Sequence, residues 1–239
     1  MLTEQQGNEI PQIESPSNLA EICSEISALR KIVEELLANQ LDQFKRSLGV
    51  HMPFYTSDWV SWQAAQHWNL ILKDIKGKPN LRFMEIGSFQ GRSANWFVEN
   101  VLTHPTSRLD CVDNFFHLAT PRIRNGLKET FFYNIEPNLH KISAHLCTSE
   151  KVGELFQPDT FDVIYVDGSH YADHVYRDLV LCMPLLKTGG IMLIDDYGWS
   201  DPLYTKEQLP KAGIDRFLNE FENQIEILHK DYQVSFRKL

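Results

Sequence analysis

Asp167-Gly168-Ser169-His170 follows the apolar run Phe161–Val166, and Asp195-Asp196-Tyr197 follows the apolar run Ile191–Ile194. If those runs are neighbouring parallel strands, Asp167, Asp195 and Asp196 emerge together at the carboxyl edge of a sheet, where open α/β folds bind ligands. Three carboxylates there repel one another unless something neutralises them. A hard cation with oxygen ligands, such as Mg²⁺ or Ca²⁺, is the simplest counter-charge; the competing role is that of ordinary helix caps and turn formers. His170, three residues after Asp167, has a side chain that titrates in the range useful for accepting a hydroxyl proton. His174 and His117 carry no such company and fit surface or packing positions.

A second group lies upstream. Phe83-Met84-Glu85-Ile86-Gly87-Ser88-Phe89-Gln90-Gly91-Arg92-Ser93 reads as a strand entering a two-glycine turn, with a helix starting near Ser93. Glycine permits the turn conformations and close backbone approach that a Cβ would block. Asp113 ends the next strand, about twenty residues on, where an acidic group accepts hydrogen bonds from ribose hydroxyls. A dinucleotide site would show G-x-G-x-x-G with the pyrophosphate at the helix N-terminus. Here the spacing is Glu-x-Gly-x-x-x-Gly, and a leading carboxylate is poorly matched to a diphosphate. It suits a cofactor with a cationic amino-acid tail and a sulfonium, which leaves a nicotinamide dehydrogenase as a poorer fit.

On these residues the chain from about Leu81 onward resembles the Rossmann-like class I S-adenosylmethionine-dependent methyltransferases. It is similar in particular to the branch with the macrocin and mycinamicin sugar O-methyltransferases and the cephalosporin-hydroxylase-like proteins. The resemblance implies that Glu85, Gly87, Ser88, Gly91 and Ser93 line the methionine part of the cofactor. Asp113 would take the ribose, with Asn114 adjacent. Thr148, Ser149 and Glu150 would frame the adenine, although the family's more usual Gly-Asp-Ser is missing there. Asp167 is implied in the cofactor site and, with Asp195 and Asp196, as a ligand of a divalent metal, Mg²⁺ first. His170 matches the family's general base.

The elements that must position these groups alternate along the chain. Strand-like runs occur at Leu81–Ile86, Leu109–Val112, Ile142–Cys147, Phe161–Val166 and Ile191–Ile194. Helical stretches are expected near Ser93–Val101, Ile123–Ile135, Glu150–Phe156, Ala172–Leu186 and Ile214–Phe221. Nearly continuous apolar strands alternating with helices predict a parallel sheet covered on both faces. Glu226–His229 and Gln233–Arg237 are close enough for a hairpin. The expected fold is therefore a Rossmann-like α/β domain with a seven-stranded, mostly parallel sheet and one antiparallel strand. Ser57 is placed to cap a helix reaching about Ile75. Tyr197, Trp199, Tyr204, Phe115 and Phe116 either wall an acceptor pocket, with Trp59 and Trp62 closing it, or pack in the core. Pro202 and Pro210 bracket a loop that could serve as a lid.

The domain proper is expected over 51–239, preceded over 1–50 by a flexible lead-in and an amphipathic helix. Leu19, Ile22, Ile26, Leu29, Val33 and Leu36 recur at spacings of three and four, behind a capping arrangement of Asn18 and Glu21. The seam then shifts to Leu37, Leu41, Phe44 and Leu48. It serves equally as a homo-oligomer contact or as a helix lying on its own domain. Among 239 residues, 23 basic against 32 acidic side chains give a net charge of −9 with no basic run, against a nucleic-acid substrate. No apolar run approaches the roughly 20 residues that cross a bilayer. No secretory signal is visible, and Cys23, Cys111, Cys147 and Cys182 form no CxxC pair, so reduced thiols and a cytoplasmic location are expected. The predicted activity is metal-assisted O-methylation of a hydroxyl on a small molecule, such as a natural product or sugar. Alternatives are a metal-independent carboxyl- or N-methyltransferase and a non-catalytic cofactor-binding partner subunit.

Overall fold

The computed structural model describes residues 22–27, 29–30, 32–33, 40, 51–58, 60, 64–116 and 121–239, with the side chains of 121–125 outside the description. The chain divides into two compact units, Met1–Met52 and Pro53–Leu239. In the first, residues 22–27 are helical, and Ile22, Ile26, Leu29 and Val33 are exposed. The cap expected at Asn18, the seam over Leu37–Leu48, and Trp59, Trp62 and His117 lie outside the described residues.

The second unit is built on seven strands: β1 (Arg82–Ile86), β2 (Arg108–Val112), β3 (Ile142–His145), β4 (Phe161–Val166), β5 (Leu186–Ile194), β6 (Ile225–Lys230) and β7 (Val234–Lys238). They lie in the order β3-β2-β1-β4-β5-β7-β6. The first five pair in parallel, while β7 runs antiparallel to both β5 and β6. One strand is thus reversed, as the hairpin pattern required. Strand order reverses between β1 and β4, which makes their carboxyl ends the crevice of the fold.

Alternation along each strand builds two cores. Phe83, Leu109, Cys111, Val163, Tyr165, Ile191 and Leu193 face α1 (Ala65–Ile71), α2 (Arg92–Asn100) and α3 (Pro121–Ile135). Met84, Ile86, Val112, Ile164, Val166, Met192 and Ile194 face α4 (Val152–Leu155), α5 (Ala172–Cys182) and α6 (Pro210–Glu220). Both faces are apolar, which is why the strands read as unbroken hydrophobic runs. Several boundaries differ from expectation, those of β5 and α6 most. β5 begins at Leu186, five residues before Ile191, because Gly189 and Gly190 sit inside the strand. Gly189 has φ +79, and the β4–β5 register shifts between Phe161 and Val163. α6 begins at Pro210, buried at the first helical position where its missing N–H costs nothing. Cys111 and Cys182 are buried, Cys147 is half-buried and Cys23 is exposed, all as free thiols. No helix among the described residues is long and apolar enough to cross a membrane.

Candidate active site

The parallel register aligns the ends of four strands. Ile86 pairs with Val112 and with Val166, and Val166 pairs with Ile194. Each ladder then continues one residue further: Gly87 N–H donates to Val112 O, Asp167 N–H to Ile86 O, and Asp195 N–H to Val166 O. Gly87, Asp113, Asp167 and Asp195 therefore stand in one row at the carboxyl edge. The sheet alone brings together groups that are up to 108 positions apart in sequence.

Beyond β1 the chain makes a turn in which Gly87, Phe89 and Gly91 all have positive φ, at 83°, 46° and 78°. The glycines are required by close approach within the fold. A Cβ on Gly87 would stand 2.1 Å from Asp167 O, and one on Gly91 would stand 2.7 Å from Ile135 Cγ2. Phe89 has no such licence, and a bulky residue in this region stores strain of roughly 1–3 kcal/mol. Asp113 holds it there. Its Oδ2 accepts the N–H groups of Ser88 at 2.8 Å and Phe89 at 2.9 Å, and its Oδ1 accepts that of Phe115 at 2.6 Å. A carboxylate offers about four acceptor sites, so one is left for a ligand hydroxyl.

Glu85 leads this turn from inside the sheet, fully buried, with Oε1 lacking a hydrogen-bond partner; Ser88 Oγ beside it is orphaned too. Burial lifts the Glu85 carboxyl from 4.5 to about 7. Two unsatisfied buried polar atoms at the mouth of a glycine turn are what a cationic amino-acid tail would complete, since a buried acceptor without a donor is costly. The residues fit such a cofactor.

Across the crevice Asp167 and Asp195 are knit to one another. Tyr165, two residues before Asp167 and so on the same face of β4, extends its hydroxyl to Asp167 Oδ2 at 3.0 Å and to Asp195 Oδ2. Asp195 also accepts from Gln233 Nε2 at 2.9 Å and from the N–H of Asp196 at 2.7 Å. Burial and mutual repulsion push Asp167 well above the usual carboxylate range, and raise Asp195. Asp196, at φ 60°, turns instead to His170, with Oδ2 at 2.8 Å from Nε2. That hydrogen bond raises His170 against the opposing effect of its burial. Trp199 stacks on the imidazole, centroids 4.7 Å apart and planes at 15°. The donor types suit a hard cation, but the arrangement does not: among the described residues no group of three or more His, Cys, Asp or Glu is placed to hold a metal ion.

The remaining sequence candidates are scattered. Ser93 is buried in the first turn of α2. Asn114 is exposed and binds the N–H of Phe116. Ser149 donates its hydroxyl to Asp178 at 2.5 Å, and Thr148 is exposed. Phe115 packs on Phe131 in the core, while Phe116 is exposed. Tyr197 is taken up by Asp215, Lys211 and Lys230, away from an acceptor. Trp199 and Tyr204 meet edge to face beside His170. Sequence reasoning missed Tyr165, Gln233, Gln90 and Asn134. Only Tyr165 gave a signal, through its even spacing from Asp167.

Because the folded state raises Glu85 above its unfolded value, its contribution to stability is fully present below pH 4.5 and is lost as pH rises through about 7. The loss is on the order of 3 kcal/mol. Glu85→Gln cannot ionise, so its melting temperature should fall less than the wild type's between pH 4.5 and 7.5. Parallel melting curves for the two proteins would contradict the assignment.

Residues 84–197 match the family model described as a methyltransferase domain. No curated protein matches the chain significantly in sequence. Among solved structures it is similar to a putative rRNA methylase from Clostridium thermocellum, with TM-score 0.59 and 12% identity over 75% of this chain and 97% of that one. It is similar also to the O-methyltransferase TomG from Streptomyces achromogenes, involved in tomaymycin synthesis and solved with S-adenosylmethionine. There the TM-score is 0.55 and identity 16%, over 84% of this chain and 88% of that one. An O-methyltransferase from Thermotoga maritima gives 0.52 and 13%, over 77% and 67%. At these identities the likeness is one of fold. Residues 84–197, which include the ends of β1, β2, β4 and β5, carry the methyltransferase-domain match on a fold shared with S-adenosylmethionine-dependent methyltransferases.

Proposed function

We propose that the protein transfers a methyl group from S-adenosylmethionine to a hydroxyl of a small molecule, with His170 as the base. The observation that carries this reading is the Asp196–His170 pair, which follows Asp195 and Asp167 just beyond the row of strand ends that also holds Asp113. When bound, the cofactor supplies an electrophilic methyl on a sulfonium, so the protein's share is positioning and deprotonation. Glu85 would face the cofactor's ammonium, and Asp113 would offer its one spare acceptor site to the ribose. His170 holds a proton on Nε2 toward Asp196, which leaves Nδ1 free to accept the acceptor's hydroxyl proton. The cofactor would supply the methyl carbon to that oxygen, with the electron pair of the broken carbon–sulfur bond left on sulfur. Asp196 stabilises the imidazolium that results, and Trp199 keeps the ring in plane. Trp199 and Tyr204 offer flat apolar area to the acceptor.

A divalent cation on Asp167, Asp195 and Asp196 is the second reading, and it would require these side chains to turn from the arrangement described above. What favours it is that burial, and after it mutual repulsion, raises Asp167 and Asp195, with no Lys or Arg ion-paired to either among the described residues. His170→Ala should retain S-adenosylhomocysteine binding by calorimetry and lose 100-fold or more in turnover, within the usual range for a general base of about 10²–10⁴. Wild-type turnover in that variant removes the base. Turnover that survives EDTA supports the metal-independent form, and loss restored by Mg²⁺ supports the cation.

We propose further that residues 22–33 pair with a second copy of the chain. Ile22, Ile26, Leu29 and Val33 alternate by four, three and four residues and are 45%, 59%, 60% and 52% exposed, a stripe that a lone soluble helix does not keep in water. Light scattering after gel filtration should give a multiple of 27.7 kDa for the wild type. Leu29→Asp should give the single-chain mass. A monomeric wild type rules the pairing out.

A further inference from the structure

Residues 53–58 form neither helix nor strand, yet they are tied at four points to the wall of the cofactor crevice. Phe54 is held by its backbone: its N–H donates to Asn134 Oδ1 and its carbonyl accepts from Asn134 Nδ2, both at 2.7 Å. The Tyr55 hydroxyl accepts from Asn95 Nδ2 at 2.8 Å, and the Arg92 guanidinium lies over the Tyr55 ring. Thr56 donates both N–H and Oγ1–H to Gln90 Oε1, at 2.7 and 3.1 Å. Asp58 pairs with Arg92 at 2.8 Å.

The central piece is Asn134, near the end of α3 and wholly buried. Besides clasping Phe54, its amide donates to Gln90 O at 2.8 Å, and its own carbonyl accepts from Asn95 Nδ2 at 2.8 Å. Gln90 belongs to the glycine turn. One side chain thus binds the crossing segment and the turn together. Only an amide does this, because one acceptor must face an N–H while two donors face carbonyls.

We propose that Asn134 is a positioning residue for the cofactor, fastening residues 54–56 onto Gln90 and so fixing the outer side of the turn whose inner side Asp113 fixes. The turn needs both holds. Three of its five residues have positive φ, and Asp113 reaches only the N–H groups of Ser88 and Phe89. With Gln90 O and Gln90 Oε1 released, the turn is free to relax away from the shape that presents Ser88 and Glu85 to a ligand.

The inference rests on the crevice binding S-adenosylmethionine and is tested with S-adenosylhomocysteine as probe on the full chain. In Asn134→Asp the paired donors become an acceptor facing two carbonyls. Its dissociation constant should rise about tenfold or more, while kcat at saturating cofactor stays within about twofold. Because Asn134 is buried and its variant may not fold, Thr56→Pro provides a second route. It removes both the N–H and the hydroxyl that reach Gln90 Oε1 and should weaken binding several-fold, with a melting temperature near wild type. Phe54→Ala leaves the backbone clasp in place and should bind as the wild type does. Unchanged affinity in a folded Asn134→Asp or Thr56→Pro protein, or a fall in kcat without a change in affinity, overturns the positioning role. A wild type that does not bind the probe overturns the cofactor reading itself, and this inference with it.

Discussion

The carboxylate of Asp113 is the interaction on which the crevice depends. It sits one residue beyond β2 and accepts three backbone N–H groups, from Ser88, Phe89 and Phe115. Phe89 and Phe115 have φ of 46° and 53°, in a region that residues with bulky side chains avoid. The other non-glycine residues found there, Asn80, Asp159 and Asp196, are of types that tolerate it. Charge-assisted hydrogen bonds to a carboxylate are among the strong ones, and here they offset strain on both sides of one aspartate. β2 thereby dictates the shape of the turn after β1, and parallel pairing of β1 with β2 keeps the two ends level.

Charge is distributed unevenly along the same edge. On the β1–β2 side, Asp113 is saturated nearly to its limit by backbone donors, and Glu85 is isolated by burial. On the β4–β5 side, Asp167 and Asp195 share one tyrosine hydroxyl, and Asp195 is further held by Gln233 and by the N–H of Asp196. Burial and their mutual repulsion still raise both carboxyls.

Much of this was legible in the residues. Unbroken apolar runs specified buried parallel strands because each face of the sheet has its own core, and the row of Gly87, Asp113, Asp167 and Asp195 follows once those runs are strands. The Asp196–His170 pair was legible as a pair of neighbours on two strand ends. What stayed hidden is of one kind. Asp113 was read by its position as a ribose ligand, but its hydrogen bonds to Ser88, Phe89 and Phe115 depend on loop conformations that carry no sequence pattern. That the missing Cβ of Gly91 makes room for Ile135 and Phe131 is likewise invisible in the sequence. β5 was cut short because Gly189-Gly190 signals a turn locally, and only the partner strand makes it a bulge. Asn134 is one polar residue in a helical stretch, and its three side-chain hydrogen bonds reach 44 and 80 positions away.

Those hidden contacts explain why a fold shared with proteins only 12–16% identical can still present a private site. The sheet fixes where the strand ends lie to within a residue, and any sequence with apolar runs of the right length would do the same. It does not fix which way the loop atoms face. In this chain that is done by polar side chains bonding to backbone: Asp113 to the turn from one side, Asn134 and Gln90 from the other, and Asp195 to the N–H of Asp196. Each such bond joins a side chain on one element to the main chain of a loop. The loops therefore inherit the rigidity of the sheet and helices without needing a core of their own, which is how positive-φ residues persist at the one edge where a ligand must be met by preset atoms.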